Sequence, residues 1–190
     1  RPRSLSDLAK PEFKNLVQMG SPLESGTAFS TVAYLSDKLG WSFFEKLRLN
    51  QLGSSGGNST VLQKVESGEK KIGVCLLENA LAAKKRGSPV EIIYPEDGAI
   101  PIPSVQFIPK SAKHKEAAAK FADFVLSRPG QELLRHGYMY SINQDVSAPE
   151  GARPWSEVLK KTTPWTPEFV RKTAAQSAEI KRRFSELVLN

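Results

Sequence analysis

The chain of 190 residues has one cysteine, Cys75, so it forms no internal disulfide framework and no cysteine-rich zinc site. No apolar run approaches the roughly 20 residues that span a bilayer, and residues 1–15 lack the apolar centre of a signal peptide. The polypeptide is therefore expected to be soluble and, if exported, already processed. Only two histidines occur, His114 and His136, both at expected helix edges and without a carboxylate at metal-ligating spacing. They read as isolated surface residues. Catalytic signatures are missing as well: there is no G-x-S-x-G elbow, no H-E-x-x-H, no P-loop and no base placed near a nucleophile in the sequence. These absences argue against an enzyme and call for no cofactor and no metal.

What is present is an ordinary globular composition, 39% hydrophobic and 25% charged, with an excess of basic groups that gives a formal charge of +7. A basic balance favours acidic partners. Its distribution argues against a nucleic-acid surface, because the densest basic runs, Lys84–Arg86 and Lys181–Arg183, fall on expected helices without interleaved exposed aromatics. Cys75 sits in "IGVCLL", which predicts a buried packing residue.

Strands and helices alternate along the first half. "NLVQMG" (15–20) reads as a short buried strand, and Ala28, Val32, Leu35 and Leu39 recur at helical spacing until Gly40. A second helix opens at Trp41 and presents Phe43, Phe44, Leu47 and Leu49. "GSSGGNSTVLQKVESGE" then gives a flexible loop, Asn58 or Ser59 as cap, and a helix with Val61, Leu62 and Val65 on one face. "KKIGVCLL" predicts a strand, "ENALAAKKRG" a helix ended by Gly87, and "PVEIIYP" another strand. Such alternation implies an α/β layer structure with a mostly parallel sheet, whose ligands bind beyond the carboxyl ends of the strands.

The texture changes at "PEDGAIPIPSVQFIPKSAKHKEA", where prolines surround one apolar strand, "SVQFI" (104–108). A helix with Ala117, Phe121, Phe124 and Val125 toward a core follows, then a short helix, an irregular stretch, and a long amphipathic helix over 167–190 carrying Phe169, Thr173, Ile180, Phe184 and Leu187.

Together, "SLSDLAKPEFKNLVQMGSPLESGTAF", "VLQKVESGEKKIGV", "KKRGSPVEIIYPEDGAIPIPSVQFIPKSAKHKEAAAKFADFVLSRPGQELL" and "GYMYSINQDVSAP" resemble family 1 extracellular solute-binding proteins of ABC importers, in the cluster of ferric-ion, phosphonate and sugar-phosphate receptors. The resemblance implies a type 2 periplasmic-binding-protein fold of two α/β lobes that close on a ligand. It implies a second lobe nearly complete, with a partial first lobe: residues 1–95 in the second lobe, 96–146 crossing back to the first, and 147–190 returning as a helical segment on the second. A first-lobe βα segment that precedes this region in the family has no counterpart here, so residues 96–146 are expected to lack sheet neighbours and the chain to self-associate. The location implied is periplasmic or extracellular, soluble or lipid-anchored, and the partners are a small solute and a membrane permease.

The same resemblance directs attention to the helix starts. "ESGT" and "GGNS" match loops that contribute hydroxyls and amides to the ligand, which selects Ser25, Gly26, Thr27, Asn58 and Ser59. Free amides and the helix dipole at such starts favour an anion. Where ferric receptors carry adjacent tyrosines, this chain has Leu76, Leu77, Glu78 and Asn79, so iron is rejected as the ligand. Glu78, Asn79 and Glu96 are placed at the cleft, the carboxylates serving a hydroxyl- or amine-bearing part of the solute. The expected function is capture of a small phosphorylated or phosphonate compound. The alternatives are a ligand-sensing domain of a regulator with the same fold, and a ferric-ion or polyamine receptor.

Overall fold

The computed structural model describes residues 1–162 and 165–189. Three short parallel strands form its sheet: β1 (Val17–Met19) lies in the centre, with β2 (Gly53–Ser54) on one side and β3 (Ile72–Val74) on the other. Gln18 is in register with Gly53 and with Gly73. This row explains both glycines. A Cβ on Gly53 would fall 2.1 Å from Gln18 Oε1, and one on Gly73 would fall 2.9 Å from Val61 of the covering helix. The glycines leave room for the Gln18 side chain and let the helix approach the sheet closely.

Each strand leads into a helix. β1 precedes α1 (Gly26–Leu39) and its neighbour α2 (Trp41–Leu49), β2 precedes α3 (Asn58–Glu66), and β3 precedes α4 (Leu77–Lys85). Because the strands are parallel, α1, α3 and α4 all begin at one edge of the sheet. Of the units expected in this half, all but the strand at 89–95 are present. Val17 and Met19 face a core made with Val32, Leu35, Phe44 and Leu47, while Val61 of α3 covers the side of Gln18 and Gly73. Leu49 departs from expectation: it lies three-quarters exposed, on the outer face of α2.

Farther along come α5 (Lys115–Leu126), α6 (Arg128–His136), α7 (Trp155–Leu159), α8 (Pro167–Ala175) and α9 (Ser177–Phe184), the last continued by a π-helical turn, Ser185–Leu189. The long helix expected over 167–190 is thus divided at Gln176, and its last residue lies outside the described residues. Its apolar stripe still packs as expected, with the Phe184 ring 5.5 Å from that of Phe44 and Phe169 6.5 Å from Tyr34. Several members of the basic runs are paired on the protein itself. Arg182 is paired with Glu179 and Glu186, Lys85 with Glu150, and Arg183 stacks on Trp41.

Two expected strands are absent. Residues 89–95 and 104–108 belong to no sheet, because an extended segment becomes a strand only when a second backbone takes its N–H and C=O groups. Nor does α5 bury the face assigned to it. Ala117, Phe121 and Phe124 are exposed and Val125 is half-buried, although α5 packs on α6. Cys75 is half-buried rather than enclosed. Among the described residues no helix is long and apolar enough to cross a membrane.

Candidate functional site

The edge where α1, α3 and α4 begin holds most of the residues singled out from the sequence. Ser25 is the N-cap of α1 in extended backbone, and its Oγ accepts a hydrogen bond from the Ala28 amide at 3.3 Å. Gly26 follows at the exposed start of the helix, where a Cβ would meet nothing within 4 Å. Thr27 Oγ1 lies 3.0 Å from Ser25 Oγ, and Asn58 Nδ2 donates to Thr27 Oγ1 at 2.9 Å. Asn58 Oδ1 in turn accepts from the Leu76 amide at 3.0 Å. One chain of hydrogen bonds therefore joins the loop before α1, the first turn of α3 and the loop before α4.

This chain corrects the cap expected for α3. Gly57 occupies the N-cap position without a side-chain bond, and Asn58 is already the first helical residue. Its amide is engaged by Thr27 and Leu76 and so cannot close on the helix's own N–H groups. Ser59 is exposed. With Glu66, Glu78, Asn79 and Arg86 it lines an open groove of 470 Å³ between α3 and α4. Burial pushes the Glu78 carboxyl above its ordinary range.

Glu96 does not join either group. Its carboxylate accepts from Arg3 at 2.9 and 3.0 Å, and its amide donates to the Arg3 carbonyl. The neighbouring Asp97 carbonyl takes Lys38, in the last turn of α1 and roughly 16 Å along the helix axis from Thr27. The ion pair with Arg3, so far away in sequence, explains why "YPEDG" gave no warning. Among the described residues no three His, Cys, Asp or Glu side chains gather where they could hold a metal ion.

Two residues at this edge were missed. Glu24 Oε2 accepts from the Gly56 amide at 2.7 Å, linking the loop before α1 to the loop before α3. Gln18 Nε2 donates to Ser55 Oγ at 3.3 Å from inside the sheet. No spacing rule reveals either contact, since both depend on the strand order.

A domain profile of bacterial extracellular solute-binding proteins matches residues 1–157. The chain belongs to that family. Membership places it outside the cytoplasm, in the periplasm or extracellular space. Relatives include an uncharacterised protein of Haemophilus influenzae, 30% identical over 99% of this chain and 56% of its own length. A protein of Salmonella typhimurium named "Putative 2-aminoethylphosphonate-binding periplasmic protein" is 27% identical over 95% of this chain and 57% of its own length. Among solved structures, the periplasmic binding protein AfuA of Actinobacillus pleuropneumoniae, with fructose-6-phosphate bound, superposes with a TM-score of 0.77 at 22% identity, over 99% of this chain and 60% of its own. The fold is thus α/β, of the type 2 periplasmic-binding-protein kind. The chain spans little more than half the length of the curated relatives it matches.

Proposed function

We propose that this chain serves as the solute-binding receptor of an ABC importer, without catalytic activity, and that its solute is a small anion carrying a phosphoryl or phosphonyl group. In this reading residues 1–95 and 147–190 form one lobe and 96–146 belong to the other. The packing of α8 and α9 on α1 and α2 supports that division.

The observation that carries the ligand class is the polarity of the hydrogen-bond chain. The Leu76 amide fixes the Asn58 side chain so that its nitrogen, not its oxygen, faces Thr27. Ser25 already accepts from Ala28. The two hydroxyls have one contact between them, in which one donates to the other. Whichever donates, the other keeps an O–H whose oxygen has both lone pairs occupied, and that group can only donate outward. A donor beside the start of α1 suits an oxyanion, whose charge the helix dipole also favours. The hydroxyl that donates keeps one open lone pair, which an ammonium group could reach, but only an oxyanion also satisfies the outward proton. The 2-aminoethylphosphonate and fructose-6-phosphate named for the relatives both present phosphorus-bound oxygens, in keeping with this reading.

Isothermal calorimetry of the purified protein against phosphate esters, phosphonates, free sugars, spermidine and ferric citrate tests the proposal. Binding confined to the phosphorus-bearing anions is expected. Binding of spermidine, ferric ion or an uncharged sugar, with every anion refused, overturns it.

A further inference from the structure

Glu24 stands directly before the Ser25 cap, and its carboxylate crosses to the Gly56 amide at 2.7 Å. Gly56 adopts φ +59°, and a Cβ there would fall 2.3 Å from Thr60 Oγ1, so this amide is held in a backbone geometry that only glycine fits. Next to it, a Cβ on Gly57 would lie 3.8 Å from Ser25 Cβ and Oγ. The carboxylate, the Ser25–Thr27 hydroxyls and the start of α3 therefore share one seam between two loops. In that seam Glu24 takes a backbone N–H of the kind anions take, and its negative charge is held at Gly56, one residue before the Gly57 that lies against Ser25.

We propose that Glu24 selects the charge of the solute, favouring monoanions and zwitterions over dianions, a role that rests on the anion-receptor reading above. Each negative charge on a bound solute is repelled by the carboxylate, so a dianion is penalised twice where a monoanion is penalised once. A solute with its own ammonium group offsets the repulsion by pairing with the exposed Glu24 carboxylate. A purely mechanical latch between the loops would show no such dependence on ligand charge.

The test uses the full chain, with calorimetry at one pH above neutrality and two probes: dimethyl phosphate, a monoanion, and monomethyl phosphate, a dianion there. In Glu24→Gln the side-chain oxygen still accepts from Gly56, so the latch is kept while the charge is lost. Glu45→Gln, an exposed position on α2, makes the same change in net charge elsewhere. Glu24→Gln should shift the affinity ratio toward the dianion by about two- to fivefold, and Glu45→Gln should leave the ratio unchanged. Thermal melts confirm that the variants fold. An unchanged ratio in Glu24→Gln, or an equal shift in Glu45→Gln, overturns the role of Glu24 while leaving the receptor reading intact. Wild-type protein that binds neither ester overturns the receptor reading and this role with it.

Discussion

Asn58 Nδ2 donates to Thr27 Oγ1 across 2.9 Å, so the first turn of α3 is tied to the first turn of α1 by a side chain whose orientation the Leu76 amide dictates. The direction of that bond decides which way the hydroxyl cluster donates. Reversing it should reverse the preference of the site.

Asn58→Asp makes the reversal. Aspartate still accepts from Leu76, but toward Thr27 it also offers an acceptor, and the Thr27 proton turns inward to meet it. The outward donor disappears and a negative charge arrives. Anion affinity should fall more than tenfold by calorimetry, with little loss of stability, whereas Asn58→Ala should cost about 1–3 kcal/mol in denaturant unfolding by leaving the Leu76 amide without a partner and Thr27 Oγ1 with Ser25 alone. Undiminished anion binding by Asn58→Asp would sink the polarity argument.

The two serines expected to act alike should separate. Ser25→Ala removes the cap bond to Ala28 and should cost about 0.5–2 kcal/mol. Ser59→Ala removes an exposed hydroxyl with no capping role and should stay within about 0.5 kcal/mol of wild type. Equal losses in chemical denaturation would mean that Ser59 caps α3 after all.

The serines also show where sequence reading reaches its limit. The strand–helix units around α1, α3 and α4 were legible because apolar period, glycine-rich turns and helix stops are local signals. The cap of α3 was not, since Asn58 answers to Thr27 and Leu76, 31 and 18 residues away. Residues 104–108 have the composition of a strand, yet strand formation needs a partner backbone that composition cannot supply. Glu96 and Glu24 illustrate the same limit for the site. One was assigned to it but pairs with Arg3, 93 residues away, and the other was passed over though it reaches Gly56 across the strand order.

The exposed apolar residues make a further expectation measurable. Phe107 and Phe121 are 79% and 61% exposed, and Phe124 lies on the same open side of α5 as Phe121 by helical spacing. Surface of this kind drives association in water. Sedimentation of the 190-residue chain should show mass rising with concentration, and the double change Phe121→Ser with Phe124→Ser should reduce it. A single monomeric species at all concentrations for the wild-type chain would count against this.

Cys75 supplies a test of the same edge by titration. Burial, and secondarily the nearby Glu78 carboxylate, push its thiol from an ordinary value of 9.0 up to about 11. Both causes oppose the thiolate, the first by removing water from it and the second by repelling it. Between these two values the unfolded chain has lost a proton that the folded chain retains, so the folded state binds more protons and stability must fall as pH rises. That contribution is fully present below about pH 9 and is lost as pH climbs toward about 11. The comparison is with Cys75→Ala, which lacks this one group. The stability of wild type relative to Cys75→Ala should decline across the window by something of order 2 kcal/mol. Because burial is the larger cause, Glu78→Gln should lower the thiol only slightly, and alkylation by iodoacetamide at neutral pH should remain slow in both proteins. A thiol that titrates near 9 in the folded protein, or a stability difference that stays flat from pH 9 to pH 11, would show that water reaches Cys75 freely at the end of β3.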